Sequence, residues 1–362
     1  MLPYNANGYL MGATPSPVIA PKSAKLLWQD VDGLITQVGF DTNTTSRGDV
    51  VFYVSGTKGP GNAVISVYDK ADPNDPAAKV LWSWHIWCAP RPVDIPVKPE
   101  AGAELVAGEK YIFMDRNVGA EDSKEVGMQY QYGRKDPFID YETNGHEYIY
   151  DLLGKDVTAL LKTVPNPPEQ YEKIRFPLTY YAGIYSMDRP STGKSNGLWG
   201  TDRPAYKDVI SDDVKTIYDP CPAGYKVSPP DVYGAFLKKP IIMYSLTDDD
   251  FTPNIIGHVG EMKAKSFYTP SFTEYGAYFY CGGENSARKV YFISTGIRLA
   301  DVNEVQPGYT AHLSGTMTSI FGDGMNTVMS FTIATHDIFY CSFGGGDGLS
   351  ELRASAAQVR CV

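Results

Sequence analysis

The sequence feature that most constrains the fold is a pair of cysteines placed far apart in the chain. Cys221 lies between two prolines and just before a Gly-Tyr pair in the run TIYDPCPAGY (216–225). Cys361 is the second-to-last residue of the sequence and lies in a short apolar run typical of a strand. A crosslink between them would close a loop of about 140 residues, which contributes roughly 5 kcal/mol in the loop-entropy model.

The cysteine count is odd, which bears on how many disulfides the chain can form. The chain has five cysteines, which allows two bridges and one free thiol in such a compartment. It has no Cys-x-x-Cys pair, so zinc ribbons and thioredoxin-like chemistry have no support. The first ten residues lack the basic and apolar regions of a signal peptide, so we expect either that a signal was removed or that the protein is cytosolic.

Length and charge narrow the class of protein further. A chain of 362 residues predicts two or three domains. The net charge of −10 argues against nucleic acid and anionic membrane as partners, because both bind basic surfaces. No run of eighteen apolar residues is present, so we predict no membrane span, and any membrane contact would be through an anchor or a partner.

The first quarter of the chain has the pattern of a small β-sandwich. Four runs rich in Val, Ile, Phe, Tyr and Trp, separated by Asp, Asn, Gly and Pro clusters, predict strands at 26–40, 48–56, 61–69 and 79–87. A stretch with four prolines follows at 89–103 and indicates a stiff connector. We therefore predict an all-β, sandwich-like domain over 1–98 and a second domain over 99–362.

The second domain has a mixed pattern. Apolar spacing predicts one helix at 148–161, and Ser228 with the prolines and Asp that follow it predicts another at 228–239. After residue 260 the apolar runs again predict strands. The fold class expected from sequence is thus a β-rich α+β protein.

Several runs, taken together, resemble a known family: the surface lipoproteins and fimbrillin-associated proteins of Bacteroides-type bacteria that carry a C-terminal "major paralogous domain". The matching runs fall in the family's order and are GNAV (61–64), LWSWHIW (81–87), FMDRNVGA (113–120), YQYGRKDPF (130–138), IYDPCPAGYKV (217–227), STGIR (294–298) and QVRCV (358–362). The resemblance implies a C-type-lectin-like mixed α/β fold for the second domain. It also implies a secreted or outer-membrane-associated protein without catalytic activity.

The resemblance also implies how the cysteines are used. It implies a structural disulfide between Cys221 and Cys361. Cys281 and Cys341, each at a Phe-Tyr-Cys strand end, are then candidates for a cross-strand bridge or for two free buried thiols. Cys88 stays unpaired.

Candidate ligand contacts are aromatic or cationic residues in two of the runs: Trp82, Trp84, His85 and Trp87 in one, and Tyr130, Tyr132 and Arg134 in the other. Alternating Trp residues on a strand can stack a sugar ring, and they can equally pack in a core. The Tyr and Arg residues can contact a ligand or fix a loop.

The sequence shows no motif for a metal or a catalytic centre. No two of its five histidines lie within four residues of each other, and the acidic run 248–250 lacks the spacing of an EF-hand loop. The family's fold is shared with calcium-dependent lectins, but Gln306-Pro307-Gly308 lacks the carboxylate of their sugar-binding motif. We therefore predict no cofactor, with Ca²⁺ unsupported, and no enzyme activity.

The functional prediction is a non-catalytic protein of the bacterial cell surface that acts in adhesion or in glycan or protein recognition. Its expected partners are glycans or other surface and pilus proteins. One alternative is a structural pilus subunit or a component of an outer-membrane complex. A further alternative is a hydrolase or an enzyme like the formylglycine-generating enzymes, although their paired catalytic cysteines have no match here and Gly-x-Ser-x-Gly is absent.

Overall fold

The protein was analysed as a computed structural model. The structure describes residues 20–42, 48–97, 111–131, 133–139, 148–165, 175–182, 199, 215–228, 232, 276–280, 288–293, 297–298, 305–306, 309–318, 327–334, 340–343 and 356–362. Strands dominate this part of the chain, and the β-rich class expected from the sequence is confirmed.

The strands in the first part of the chain are β1 (Ser23–Gln29), β2 (Ile35–Asp41), β3 (Asp49–Val54), β4 (Gly61–Tyr68), β5 (Val80–Cys88), β6 (Asp94–Val97) and β7 (Tyr111–Met114). Those that follow are β8 (Gln129–Gln131), β9 (Lys162–Pro165), β10 (Thr179–Ala182), β11 (Gly276–Tyr280), β12 (Lys289–Ile293), β13 (Ile297–Arg298), β14 (Val305–Gln306), β15 (Tyr309–Thr318), β16 (Thr327–Ala334), β17 (Tyr340–Phe343) and β18 (Ala356–Gln358). A 3-10 turn, Thr158–Leu160, precedes β9.

Five strands before residue 90 form a sheet and a hairpin that pack together. β1, β4 and β5 form an antiparallel sheet in the order β1-β4-β5, and β2 pairs with β3. Leu26 and Ile65 of the sheet share a buried apolar cluster with Ile35 at the start of β2. The strands predicted at 48–56, 61–69 and 79–87 are confirmed. The run 26–40 divides into β1 and β2, because residues 30–34 form a turn in which Leu34 N donates to Val31 O (3.1 Å).

The helix predicted at 148–161 is wrong. Tyr150 forms antiparallel bridges to Gln29 and to Asp156, so the segment lies against the first sheet as a tight loop. Gly154 has φ +76°, outside the helical region, and Asp151 Oδ1 accepts a hydrogen bond from the backbone N–H of Lys155 (3.0 Å). The apolar spacing places Ile149 in the core and leaves Leu153 90% exposed, which is the burial pattern of a turn. The second predicted helix, 228–239, lies outside the described residues apart from Ser228 and Val232.

The largest apolar cluster joins residues from both sides of the proline-rich connector. Trp28, Val64 and Trp82 from the first sheet pack together with residues further along the chain such as Tyr130 and Val359. Burial of these side chains is the main stabilising term of the fold, at about 25 cal/mol per Å² of apolar surface removed from water. The boundary at residue 98 stays a prediction, because shared packing neither defines nor excludes two folding units.

A short strand near the end of the sequence lies inside the largest described sheet. β18 lies between β13 and β15 in the order β14-β13-β18-β15-β16-β17, and β8 also pairs with β18. Beyond β18, Cys361 O accepts from Met114 N (3.0 Å) and Val359 O accepts from Val118 N (2.9 Å). Residues 356–361 are therefore buried and bonded to several distant segments.

The disulfide between Cys221 and Cys361 is present, as the family resemblance implied, with a Cα–Cα distance of 5.9 Å. Asp219 positions the turn that carries Cys221. Its carboxylate accepts hydrogen bonds from the backbone N–H groups of Cys221 (2.8 Å) and Val227 (2.9 Å). It also accepts one from Lys215 Nζ (2.8 Å). Burial raises the pKa of Asp219, against the opposing effect of Lys215 and of the backbone donors. One carboxylate thus organises the whole turn around the bridge.

The remaining cysteines are only partly described. Cys88, at the end of β5, is a free and partly buried thiol whose pKa is raised by burial and, to a lesser extent, by Asp30. Cys281 lies outside the described residues. Cys341 lies on β17, where only the backbone is described. The alternatives proposed for that pair of cysteines therefore stay predictions.

Candidate functional site

The aromatic run on β5, where four ligand contacts were predicted, faces the protein interior over much of its length. The Trp82 side chain is 5% exposed, and its ring centroid lies 5.6 Å from that of Tyr218. Trp84 and Trp87 are partly buried and pack against the main cluster. Trp87 Nε1 also donates to Ala120 O (3.1 Å). These contacts attach β5 to the later part of the chain.

His85 is held in one tautomer by a chain of hydrogen bonds that is buried at its Asp30–Asn62 end and partly buried at His85. The side-chain N–H₂ of Asn62 donates to Asp30 Oδ2 (2.9 Å) and to Gly119 O (3.0 Å), so its Oδ1 is an acceptor for His85 Nε2–H (2.9 Å). His85 Nδ1 is then the acceptor for the hydroxyl of Tyr130 (2.9 Å). The chain Asp30–Asn62–His85–Tyr130 therefore links the first sheet to β8.

Burial sets the protonation states of this chain. It lowers the pKa of His85 to about 4, although the carboxylate of Asp136 acts in the opposite direction. Burial also raises the pKa of Tyr130 well above its usual value, and Asp136 adds to that effect. At neutral pH both groups are uncharged, which is the state that the hydrogen-bond chain requires.

A buried ion pair lies beside this chain. Lys135 Nζ lies 2.8 Å and 2.9 Å from the two carboxylate oxygens of Asp136, and Ser83 Oγ donates to Asp136 Oδ1 (2.6 Å). Lys135 Nζ also lies 4.5 Å from the ring centroid of Trp82. Burial lowers the pKa of Lys135, and the attraction of Asp136 opposes that shift. Because Ser83 has no exposed surface, this group fixes β5 to residues 135–136 and offers a ligand no access.

Arg134 fixes a loop, which is one of the two roles predicted for it. Its guanidinium donates to the carbonyl oxygens of Thr179 (2.6 Å), Phe176 (3.3 Å) and Pro177 (3.3 Å). It also stacks over the ring of Phe138, 4.7 Å from the centroid. The side chain is 2% exposed, so its donors are directed to the protein's own backbone.

The structure thus separates the predicted contact residues by exposure. Three are buried, three are partly buried and one lies outside the described residues: Trp82, Tyr130 and Arg134; Trp84, His85 and Trp87; and Tyr132, respectively. The structure brings His85 and Tyr130 together and places Trp82 beside Lys135. Their described contacts are all with other parts of the chain.

A polar surface that sequence reasoning missed is centred on β6. Asp94, on this strand, accepts a hydrogen bond from the hydroxyl of Tyr225 (2.5 Å) and lies 3.6 Å from the guanidinium of Arg91. Two residues further on, Pro96 O accepts a hydrogen bond from the guanidinium of Arg288 (2.5 Å). The pKa of Tyr225 is raised, chiefly because its hydroxyl donates to Asp94.

We call this region the β6 surface and define it by four residues: Arg91, Asp94, Tyr225 and Arg288. Its parts come from three stretches that are distant in sequence. Arg91 lies in the proline-rich run interpreted as a connector, and Tyr225 lies in the cysteine motif interpreted as structural. Neither stretch carried a signal for binding.

Two general properties of the described residues bear on the site. Within them, no group of three or more His, Cys, Asp or Glu side chains is arranged to hold a metal ion. No helix in that part of the chain is both long and apolar enough to span a bilayer. Comparison with protein-family models, with curated proteins and with solved structures gave no match for this chain.

Proposed function

We propose that the protein is a non-catalytic recognition or adhesion protein of the bacterial cell surface, of the Bacteroides-type class that its sequence runs resemble. The observation that carries the proposal is the buried disulfide between Cys221 and Cys361. It links the two cysteine-bearing runs that the resemblance pairs. Structural disulfides persist mainly in oxidising compartments, which supports a location outside the cytoplasm.

The interior of the protein supports binding by a rigid scaffold. The hydrogen-bond chain through His85 and the ion pair of Lys135 with Asp136 connect β5 to later segments in one arrangement. Fully satisfied polar networks restrict side chains to a single conformation. A rigid support of this kind lets exposed loops hold a ligand without a large ordering cost.

The β6 surface is the part of this scaffold that we propose as the binding region. Arg91 is 82% exposed in its side chain, and Asp94 is 40% exposed. Tyr225 adds an aromatic ring next to them, and such rings bind sugars by covering their apolar faces. Charged, hydrogen-bonding and aromatic groups therefore meet at one solvent-facing place.

A glycan array probed with the full chain tests the proposal. We expect wild-type protein to bind a subset of glycans, and an R91Q/Y225A variant with an unchanged melting temperature to lose that binding. A K79Q/K155Q variant, altered at exposed lysines on other segments, is the control and should bind as wild type does. Absence of binding to any glycan, together with absence of a surface protein in pull-downs, would refute recognition as the function.

An assembly role is the second candidate, because β3 exposes apolar side chains. Val51, Tyr53 and Val54 are 41%, 57% and 45% exposed. Neighbouring exposed apolar residues are a feature of surfaces that contact other chains. Stable co-purification with a pilus or outer-membrane component, abolished by Y53E, would favour assembly over glycan recognition.

A further inference from the structure

We propose that two copies of this chain associate by pairing their β3 strands, antiparallel and about a two-fold axis at Phe52. The inference goes beyond the proposed function and holds whatever ligand the protein recognises. It follows from the direction of the backbone groups of β3, from the pattern of its side chains and from the position of its charge.

The edge of β3 lacks the features that usually keep a further strand away. In the described part of the chain, β2 is the strand that pairs with β3. Edge strands of natural proteins commonly carry Lys, Pro or a bulge that blocks additional pairing, as Pro96 does on β6. The six residues of β3, DVVFYV, include neither Lys nor Pro. The register shift of the hairpin lies in β2, between Ile35 and Gln37, and leaves β3 regular.

Hydrogen bonds in the hairpin show which backbone groups of β3 point away from it. In an antiparallel pair the N–H and C=O of one residue point to the same side, and that side alternates along the strand. Ser55 N donates to Leu34 O (2.8 Å), so Ser55 bonds toward β2. Tyr53 O accepts from Thr36 Oγ1 (3.4 Å), which places Tyr53 on the same side. The residues whose backbone groups point to the outer edge are therefore the alternate ones, Val50, Phe52 and Val54.

A two-fold axis at Phe52 matches these outward-pointing groups with each other. Antiparallel pairing about this axis places Phe52 opposite Phe52 of the second copy, and Val50 opposite Val54 of the second copy. Each pair exchanges two hydrogen bonds, so about six form in total. The partial positive charge of every outward N–H then faces the partial negative charge of a C=O, so the two edges are complementary in charge. A shift of one residue would oppose outward groups with groups already bonded to β2.

The same register suits the side chains of the strand. Val51 and Tyr53, which are 41% and 57% exposed, face each other across the two copies in the kind of pair that brings side chains closest. Aromatic and β-branched residues are a stabilising cross-strand combination. Asp49, the charged residue of β3, lies three residues from the axis, so its two copies are roughly 20 Å apart along the sheet and do not repel strongly.

A second copy fits this edge better than an unrelated strand because the match follows from the symmetry. In a two-fold interface one surface supplies both halves, and residue 51 contacts residue 53 of the other copy while 53 contacts 51. A strand pair of six residues on each side is a small interface, and small interfaces are typical of transient association. We therefore expect a dissociation constant of about 1–100 µM.

Sedimentation equilibrium with the full chain, up to about 500 µM, measures the association. Val54→Pro removes one outward N–H from each copy and keeps the bonds to β2, so it should weaken the dimer at least about tenfold. Val54→Thr keeps that N–H and is the matched control, expected within about threefold of wild type. Val51→Lys places a charge at the edge without changing the backbone and should also give monomers. Leu153→Lys, on a distant loop and 90% exposed, should leave the dimer unchanged.

A disulfide between the two copies tests the register. Val51→Cys and Tyr53→Cys proteins, both with Cys88→Ala, are mixed and mildly oxidised, and mass spectrometry of the digested product identifies the linked peptides. We expect a bridge between positions 51 and 53, because these side chains face each other across the axis. A mixture of Val51→Cys with Leu153→Cys is the control and should give no such bridge.

The outcomes separate this inference from the proposed function. Wild type that stays monomeric up to about 500 µM overturns the inference and leaves recognition in place. A dimer that neither Val54→Pro nor Val51→Lys weakens, or one without the bridge between 51 and 53, shows that a different surface associates and overturns it too. Binding of a different chain at β3, lost in Y53E while the protein alone is monomeric, supports the assembly role and rejects a second copy as the partner.

Discussion

Removal of the disulfide between Cys221 and Cys361 should lower the melting temperature by an amount that follows from its sequence separation. The bridge closes a loop of 140 residues. Loop-closure entropy for a ring of that size corresponds to about 5 kcal/mol at 25 °C. With an unfolding entropy of about 2 cal/mol/K per residue, a chain of 362 residues would melt roughly 6–7 °C lower without the bridge.

A double-mutant cycle isolates the bridge from the loss of packing. Cys221→Ala and Cys361→Ala should each lower the melting temperature, and the double variant should be hardly worse than either one, because the first change already opens the bridge. Calorimetry or circular dichroism under non-reducing conditions measures the three shifts. Cys88→Ala, which removes the free and partly buried thiol, is the matched control and should shift the melting temperature by much less.

Additive losses in the double variant would contradict the loop-entropy argument. They would show that each sulfur contributes only through its own packing, at 5% and 0% exposure for Cys221 and Cys361. An unchanged melting temperature in both single variants would show that no bridge forms in the folded protein.

Three further predictions concern the interior. The usual pKa of histidine is about 6.5, and that of folded His85 is about 4, so between these pH values only the unfolded state binds the proton. The free energy of unfolding should therefore decrease by roughly 3 kcal/mol as the pH falls through this range, as measured in urea titrations. His85→Gln should remove that part of the pH dependence. Asp219→Asn removes a charge-assisted acceptor beside the bridge and should cost about 2–4 kcal/mol of unfolding free energy in the same titrations; a loss below about 0.5 kcal/mol would contradict its organising role. Gly127→Ala places a methyl group 2.7 Å from Val118 O at φ +75° and should cost roughly 1–3 kcal/mol, whereas no change would show that the turn relaxes.

The strands of the first part were predictable because their signal is local. The apolar, β-branched and aromatic residues along 61–68 and 80–88 predicted strands, and β4 and β5 form there, with β4 buried along its whole length. The helix at 148–161 failed for the opposite reason. Its apolar spacing was compatible with a helix, but Tyr150 pairs with Gln29, a partner more than a hundred residues away that no local pattern can indicate.

The candidate site was predictable only in part. The sequence singled out candidate ligand contacts, among them Trp82, His85, Tyr130 and Arg134. It could not distinguish a contact with a ligand from a contact inside the protein, because burial is a property of the assembled fold. The β6 surface had no sequence signal at all. Arg91, Tyr225 and Arg288 meet through β6, and convergence of distant residues is visible only once the strands are placed.

The position of β18 has a consequence for how the chain is made. Arg360 bonds to Asn117 across 243 residues, so the partner is synthesised long before the strand that covers it. At roughly 5–20 residues per second, ribosomes need about 12–50 s to cover that interval. During that time the segments that pair with residues 356–361, such as β8, lack their partner, so this part of the sheet can form only after residue 360 has been made.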